Sequence, residues 1–124
     1  MAPLVVLLVD SSALFLQGIQ QLIQISAAEQ ILIGGVASDG MQALALAERL
    51  QPDVVLWGIG MPALSQLQLL PRLRATLPQA GIIVMGLLEE GYQQASLVAG
   101  ADMFLLKDDL MTTLLPGIMK VARR

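Results

Sequence analysis

The stretch that decides the fold is Pro52-Asp53-Val54-Val55-Leu56-Trp57-Gly58-Ile59-Gly60-Met61-Pro62, which reads as a buried strand running into a loop. Two other apolar runs also end on a charged residue, since residues 4–9 stop at Asp10 and residues 103–106 stop at Lys107. The carboxyl ends of parallel strands meet at one edge of a sheet. We therefore expect Asp10, Gly58 and Lys107 to lie close together.

Apolar runs alternate with segments of helical periodicity along the whole chain, a pattern that indicates an α/β fold with a parallel sheet. Asp39 is predicted to be the N-cap of the second helix. Strands are predicted at residues 4–9, 30–37, 53–57, 81–86 and 103–106. Helices are predicted at residues 12–25, 41–50, 65–77, 90–99 and 112–122.

Two prolines disturb this pattern. Pro71 falls inside the third predicted helix, where it should kink the helix or force it to start late. Pro116 is harmless only if the last helix begins near Thr112 or Thr113, because proline is tolerated in the first turn.

Composition narrows the possible functions of the chain. Its 124 residues suit one domain, and 56% of them are hydrophobic while 14% are charged, against about 25% charged in typical soluble domains. No segment approaches the ~20 apolar residues of a membrane span, and the short run at residues 4–9 is not a signal peptide. The net charge of -3 argues against direct binding of nucleic acid by this domain.

The chain contains neither cysteine nor histidine. Disulfides, thiolate chemistry and histidine-based catalysis or metal binding are therefore excluded. The absence of cysteine fits a cytoplasmic protein. No nucleophile–base pair can be assembled from the remaining residues, so we do not expect an enzyme, a cofactor or a metal site.

The order and spacing of five segments resemble the bacterial response-regulator receiver domain, with the LuxR/NarL-type subfamily as the nearest match. The resemblance covers residues 1–124 and implies a flavodoxin-like, doubly wound, five-stranded parallel sheet of order 2-1-3-4-5 with helices on both faces. Residues 122–124 would begin a linker. The segments are Val5-Val6-Leu7-Leu8-Val9-Asp10, Ala37-Ser38-Asp39-Gly40-Met41-Gln42-Ala43-Leu44, residues 52–62, Ala99-Gly100-Ala101-Asp102 and Phe104-Leu105-Leu106-Lys107-Asp108.

The resemblance also assigns roles to single positions of a phosphorylation pocket. Receivers end the first strand with two acidic residues, which correspond here to Asp10 and Ser11. The phosphoacceptor aspartate corresponds to Gly58. The hydroxyl residue that ends the fourth strand and contacts the phosphoryl group corresponds to Gly86, and the motif lysine to Lys107.

A switch aromatic, three residues before the lysine in receivers, corresponds to Phe104. Phosphoryl transfer to a receiver needs a carboxylate nucleophile and Mg²⁺, and Mg²⁺ prefers oxygen ligands that include carboxylates. With Gly58 and Ser11 in place, one carboxylate remains where the family offers three. Glu89 and Glu90 come from another loop and are not expected to replace the missing ligands.

The resemblance therefore implies an atypical receiver that signals by protein–protein contact without aspartyl phosphorylation. It would regulate a C-terminal DNA-binding output domain outside this chain. Two alternatives stay open: a stand-alone docking protein, and a small-molecule sensor that uses the vacated pocket beside Trp57 and Gly58. Lys107 and Asp10 are expected to form an ion pair in place of the lost phosphate contacts, and for this pair we favour a structural role over ligand binding.

The first and last helices carry an excess of apolar residues. The first contains no charge between Leu14 and Ile25, so some of its apolar side chains should reach solvent. In strand order 2-1-3-4-5 the two helices lie side by side. We expect a two-fold homodimer through them, with Leu16, Leu114 and Ile118 at the interface.

Overall fold

The computed structural model describes residues 2–60, 64–88 and 91–123, with the side chain of Leu64 left out. In these residues five parallel strands form one sheet of order β2-β1-β3-β4-β5 and alternate with five α-helices, which confirms the predicted fold class. The strands are β1 (Leu4–Val9), β2 (Ile31–Ala37), β3 (Val54–Gly58), β4 (Gly81–Gly86) and β5 (Met103–Leu106). The helices are α1 (Ala13–Ala27), α2 (Gly40–Leu50), α3 (Leu64–Thr76), α4 (Tyr92–Ala99) and α5 (Leu110–Val121).

Helix starts and ends follow local chemistry. Ser12 caps α1 by accepting a hydrogen bond from the N–H of Phe15, and Asp39 caps α2 by accepting one from Gln42. Such caps satisfy N–H groups that have no partner within the helix. Gln51 ends α2 in the left-handed conformation, with φ at 49°. The predicted N-cap at Asp39 is confirmed.

The sheet is covered on both faces, so it has two cores. One lies beneath α2, α3 and α4 and includes Trp57, Leu70 and Phe104. The other lies beneath α1 and α5 and includes Leu56, Ile83 and Met85. Every residue of β3 and β4 is buried, which explains their continuous apolar sequence.

The two prolines lie inside helices rather than at their starts. α3 begins at Leu64 and continues through Pro71, so the expectation that Pro71 forces the helix to start late is wrong. α5 begins at Leu110, directly after a 3₁₀ turn at Lys107–Asp109, so the expectation that Pro116 sits in a first turn is also wrong. Both prolines are exposed, where the carbonyl groups that lose a helical partner can bond to water.

The predicted interface residues are not on the surface. Leu16, Leu114 and Ile118 all lie in the core beneath α1 and α5, with exposures of 6%, 0% and 0%. The expectation that they form a dimer interface is wrong, because the apolar excess of both helices hides which stripe faces the sheet. The large apolar side chains that are exposed on these helices are Leu14, Ile25, Met111 and Met119.

The predicted start of the fourth helix at Glu90 lies outside the described residues, and α4 is described from Tyr92. Among the described helices, none is both long and apolar enough to cross a membrane.

Candidate functional site at the carboxyl edge of the sheet

Four of the predicted site residues converge at the carboxyl edge of the sheet. Asp10 follows β1, Gly58 ends β3, Gly86 ends β4 and Lys107 follows β5. The strand register aligns these ends, since Gly58 pairs with Met85 and Gly86 with Leu106. The convergence predicted from the apolar runs is thus confirmed.

The centre of the site is an ion pair between Asp10 and Lys107. Lys107 Nζ donates to Asp10 Oδ2 over 2.7 Å, and the N–H of Ser12 donates to Asp10 Oδ1 over 2.8 Å. Both charged side chains are largely buried, at 4% and 11% exposure. Lys107 Nζ also lies 4.3 Å from the ring centroid of Phe15, a favourable position for a cation over an aromatic face.

Asp10 occupies the space in which a side chain at position 58 would stand. A Cβ atom built on Gly58 would overlap Asp10 Oδ2 and lie only 2.7 Å from Asp10 Cγ. Cβ atoms do not approach other heavy atoms so closely, so glycine at this position is what allows the carboxylate to lie there. The predicted ion pair therefore depends on the absence of a side chain at position 58.

The Phe104 ring likewise lies close to the space left by the absence of a side chain at Gly86. A Cβ atom on Gly86 would lie 3.0 Å from Phe104 Cζ, 3.1 Å from Phe104 Cε2 and 3.2 Å from Ile59 Cγ1. Phe104 is buried on β5, next to β4. Its ring thus fills the volume that a side chain at position 86 would need.

The residues at this edge do not fit a magnesium site. Both oxygens of Asp10 already accept hydrogen bonds, and neither Ser11 nor Gly58 supplies a carboxylate. Within residues 2–60, 64–88 and 91–123 there is no group of three or more acidic side chains that could hold a metal ion. The predictions made for Glu89 and Glu90 lie outside those ranges.

A cavity of about 380 Å³ opens beside the ion pair. It lies between the loop after β1, the end of β3 and the N-terminal turns of α2 and α3. Trp57 lines it but is fully buried, and neither its Nε1 nor the Oε1 of Gln66 has a hydrogen-bond partner among the residues described. The lining consists of Val9, Asp10, Ser11, Ser38, Asp39, Gly40, Met41, Trp57, Gly58, Ser65, Gln66 and Leu69.

Sequence reasoning missed a second charged cluster, at the amino edge of the sheet. Asp102 accepts hydrogen bonds from Arg74 over 2.6 Å, from Arg123 over 2.7 Å and from the N–H of Ile82 over 2.8 Å. Burial alone would raise the pKa of Asp102, but the Ile82 hydrogen bond and the two guanidinium groups outweigh it and hold that pKa below its usual value.

Arg74 connects this cluster to further backbone groups. It also donates to the carbonyl groups of Gly100 over 3.0 Å and Ala80 over 2.7 Å. The only signal in the sequence was Asp102 itself, which belongs to one of the segments that carried the resemblance. The arginines are 28 and 21 residues away, so spacing gave no hint of them.

Comparison with known proteins agrees with this architecture. The model of the response regulator receiver domain family matches residues 6–116. The nitrate/nitrite response regulator protein NarL of Escherichia coli K12 is 36% identical over 121 residues, which cover 97% of this chain and 55% of that protein. The signal receiver domain of NarL from Mycobacterium tuberculosis superposes with a TM-score of 0.84 at 27% identity, covering 97% of this chain and 96% of that one.

The chain belongs to the response regulator receiver domain family. Within it the chain is of the NarL/LuxR type, a receiver module of two-component systems. It spans about half the length of the NarL relative. The same module also matches 28% of a protein-glutamate methylesterase/protein-glutamine glutaminase of Rhodospirillum rubrum, at 34% identity over 106 residues covering 84% of this chain.

Proposed function

We propose that this receiver signals by protein–protein contact and does not accept a phosphoryl group. The observation that carries the proposal is the overlap between Asp10 and the side-chain space of position 58. In that position the family resemblance calls for the nucleophilic aspartate. Here the space holds a carboxylate that is already bound to Lys107.

Three features of the site support the absence of transfer. Gly58 has no nucleophile, and Gly86 has no hydroxyl group to contact a phosphoryl oxygen. Of the three positions at which the family offers a carboxylate, only Asp10 keeps one, and it is buried and has a partner on each oxygen. Mg²⁺ binds through oxygen ligands whose gain must offset a high cost of dehydration, and one engaged carboxylate offers little toward that cost.

Incubation with acetyl phosphate and Mg²⁺, followed by intact-mass measurement, tests the proposal. We expect no phosphoryl adduct. A stoichiometric adduct that is stable in acid and labile in base would contradict it. An Asp10→Asn variant treated in parallel would show whether any adduct resides on Asp10.

A magnesium titration tests the same site through a different property. Trp57 is the chain's single tryptophan and neighbours Gly58, so its fluorescence reports on the pocket. We expect no saturable change up to millimolar Mg²⁺. A change with sub-millimolar affinity would show that the ligands we consider insufficient do hold the ion.

The output of the domain is part of the proposal. Because the chain aligns with 55% of the NarL relative, a full-length protein of that kind has room for a second domain. We propose a C-terminal DNA-binding output domain, with the receiver contacting it or a second protein in the cytoplasm. Sequence continuing past residue 124 into a helix-turn-helix would support this; a chain that stops there would favour a stand-alone docking protein.

We further propose that α1 and α5 provide the contact surface of a homodimer. The two helices pack on the same face of the sheet, and the exposed side chains Leu14, Ile25, Met111 and Met119 replace the buried residues first expected there. Leu14 and Ile25 are 80% and 83% exposed. Exposed apolar surface of this kind often marks a contact region.

Sedimentation equilibrium at micromolar concentration decides this point. We expect a dimer that Leu14→Glu converts to a monomer with the same circular dichroism spectrum. Leu16→Glu is the matched comparison, since it buries a charge and should unfold the domain. A wild-type monomer across the whole range would contradict the dimer.

The cavity supports a second candidate function, the binding of a small molecule. About 380 Å³ falls in the range of small ligand sites, and its lining combines two carboxylates with three serines and contains no lysine or arginine. This chemistry favours a neutral or cationic ligand that donates hydrogen bonds, and disfavours phosphates. Saturation-transfer NMR with a fragment set split into amines, amides and carboxylates tests it. Binding confined to carboxylates, or no binding at all, would exclude this candidate.

A further inference from the structure

β5 is held at two points that are three residues apart. Near its middle, the Phe104 ring sits against Gly86 at the end of β4. Just past its end, Lys107 reaches Asp10 at the end of β1 over 2.7 Å. Between the two attachments lie only Leu105 and Leu106, so the carboxyl end of this edge strand is fixed from both sides.

Both attachments use a volume that a glycine leaves open. The Asp10 carboxylate lies where a Cβ on Gly58 would overlap it, and the Phe104 ring lies 3.0–3.1 Å from where a Cβ on Gly86 would be. A side chain at position 58 must displace the Asp10 carboxylate, whereas one at position 86 requires the Phe104 ring to shift by a few tenths of an ångström or more. Gly60, two residues past the end of β3, offers a contrast, because a Cβ there meets no atom of the described residues within 4 Å.

Leaving either attachment carries a cost. Phe104 would move a large apolar ring out of the core and expose it to water, which is unfavourable. Lys107 would leave Asp10 as an unpaired buried carboxylate at 4% exposure.

We propose that Gly58 and Gly86 lock the end of β5 in a single conformation, so that this domain presents one fixed surface rather than switching between two. The inference rests on the proposed phosphorylation-independent function and extends it. The contacts of the domain are then regulated by the concentration or the identity of its partner, because the end of β5 does not change conformation.

The first test is NMR relaxation dispersion on the wild-type domain, which detects exchange on the microsecond-to-millisecond timescale. We expect flat profiles for the amides of residues 86, 87 and 103–107. Exchange at these residues toward a state with an exposed Phe104 ring would overturn the lock. The result does not depend on phosphorylation, so the lock can fail while the proposed function stands.

The second test removes one attachment. Gly86→Thr should bring exchange to residues 103–107 and lower the urea midpoint, and the milder Gly86→Ala should do so to a smaller extent. Gly60→Ala is the control and should leave both readouts unchanged.

A double-mutant cycle then assigns the effect. If the ring and the new side chain compete for one space, Phe104→Ala should cost less stability in the Gly86→Thr background than in the wild type. Independent, additive losses would show that Phe104 does not occupy the volume of residue 86, and the lock would be refuted.

Discussion

The two edges of the sheet each carry a buried or half-buried aspartate bound to basic side chains, yet they are built differently. At the carboxyl edge, Asp10 has one basic partner and a local backbone partner, and stands in space left by a glycine. At the amino edge, Asp102 joins two arginines and the backbone of β4, and thereby ties α3, β4 and the chain after α5 together.

The difference lies in what surrounds each aspartate. The amino-edge cluster connects elements far apart in sequence, and each oxygen of Asp102 has an arginine partner, as expected of a structural network. The cavity of about 290 Å³ at this edge is lined by Arg123 but not by Asp102. At the carboxyl edge, Asp10 itself lines the cavity of about 380 Å³ and occupies the space of a side chain at position 58. A charged pair in a cleft therefore points to a functional site only when its surroundings differ from those of a pair that only stabilises the fold.

The largest effect should come from Gly58→Asp. The new side chain must displace Asp10, and two carboxylates would then share one lysine, so we expect a loss of roughly 3 kcal/mol from overpacking and repulsion. Urea unfolding measures it. Phosphorylation by acetyl phosphate should stay slight, because Ser11 and Gly86 remain unsuited to the reaction.

Two controls sharpen this prediction. Gly60→Asp places the same charge two residues away, where a Cβ meets no described residue within 4 Å, and should cost little. The double variant Asp10→Ala with Gly58→Asp should be more stable than Gly58→Asp alone, because the new carboxylate can take over Lys107. If the double variant is no more stable, the overlap is not the cause of the loss.

The second effect concerns the amino edge. Asp102→Ala leaves Arg74, Arg123 and the N–H of Ile82 without their shared acceptor, and we expect a loss of about 2 kcal/mol, within the range for charged hydrogen bonds. Hydrogen exchange should reveal faster opening at the start of β4. An unchanged exchange rate at Ile82 would show that the cluster does not secure that strand.

A smaller effect is the acid response of the same cluster. Because the pKa of Asp102 is lowered on folding from its usual 3.8, the unfolded chain takes up the proton first. The stabilisation is therefore complete above that value and is lost as the pH falls through the lower folded value. Asp102→Asn should be less stable than wild type at neutral pH but show a shallower decline below about pH 4. Parallel declines would place the acid sensitivity elsewhere.

The smallest effect should come from Arg123→Gln. This side chain is 47% exposed, so solvent screens its attraction to Asp102 and we expect about 0.5 kcal/mol or less. Lys120→Gln, a neighbouring exposed charge, serves as the control. A loss as large as that of Asp102→Ala would show that the bond to Arg123 carries the cluster.

Most of the fold was predictable because each strand is a short apolar run with a clear boundary. The prediction failed where apolar content exceeds what one face can bury, as with Leu16 in α1, since periodicity alone does not orient such a helix. The start of α5 was misplaced because Pro116 was treated as a first-turn residue. In fact it lies on an exposed face, where a lost backbone bond is tolerated.

The site was predictable in membership but not in shape. The sequence placed Asp10, Gly58, Gly86 and Lys107 at one edge and suggested the ion pair. It gave no sign that Asp10 would enter the space of residue 58, because that depends on the relative position of β1 and β3. The contact between Lys107 and Phe15 was also missed, since the two residues are far apart in the chain.

One feature of β2 bears on how the domain behaves at high concentration. β2 lies at the edge of the sheet, and Gly34 is an extra residue there, because Val6 pairs with Ile33 while Leu7 pairs with Gly35. A regular edge with exposed Leu32 and Val36 would offer neighbouring molecules a template for strand addition. The bulge breaks the regular spacing of hydrogen-bonding groups along β2, so we expect it to disfavour edge-to-edge aggregation on that side despite the apolar surface.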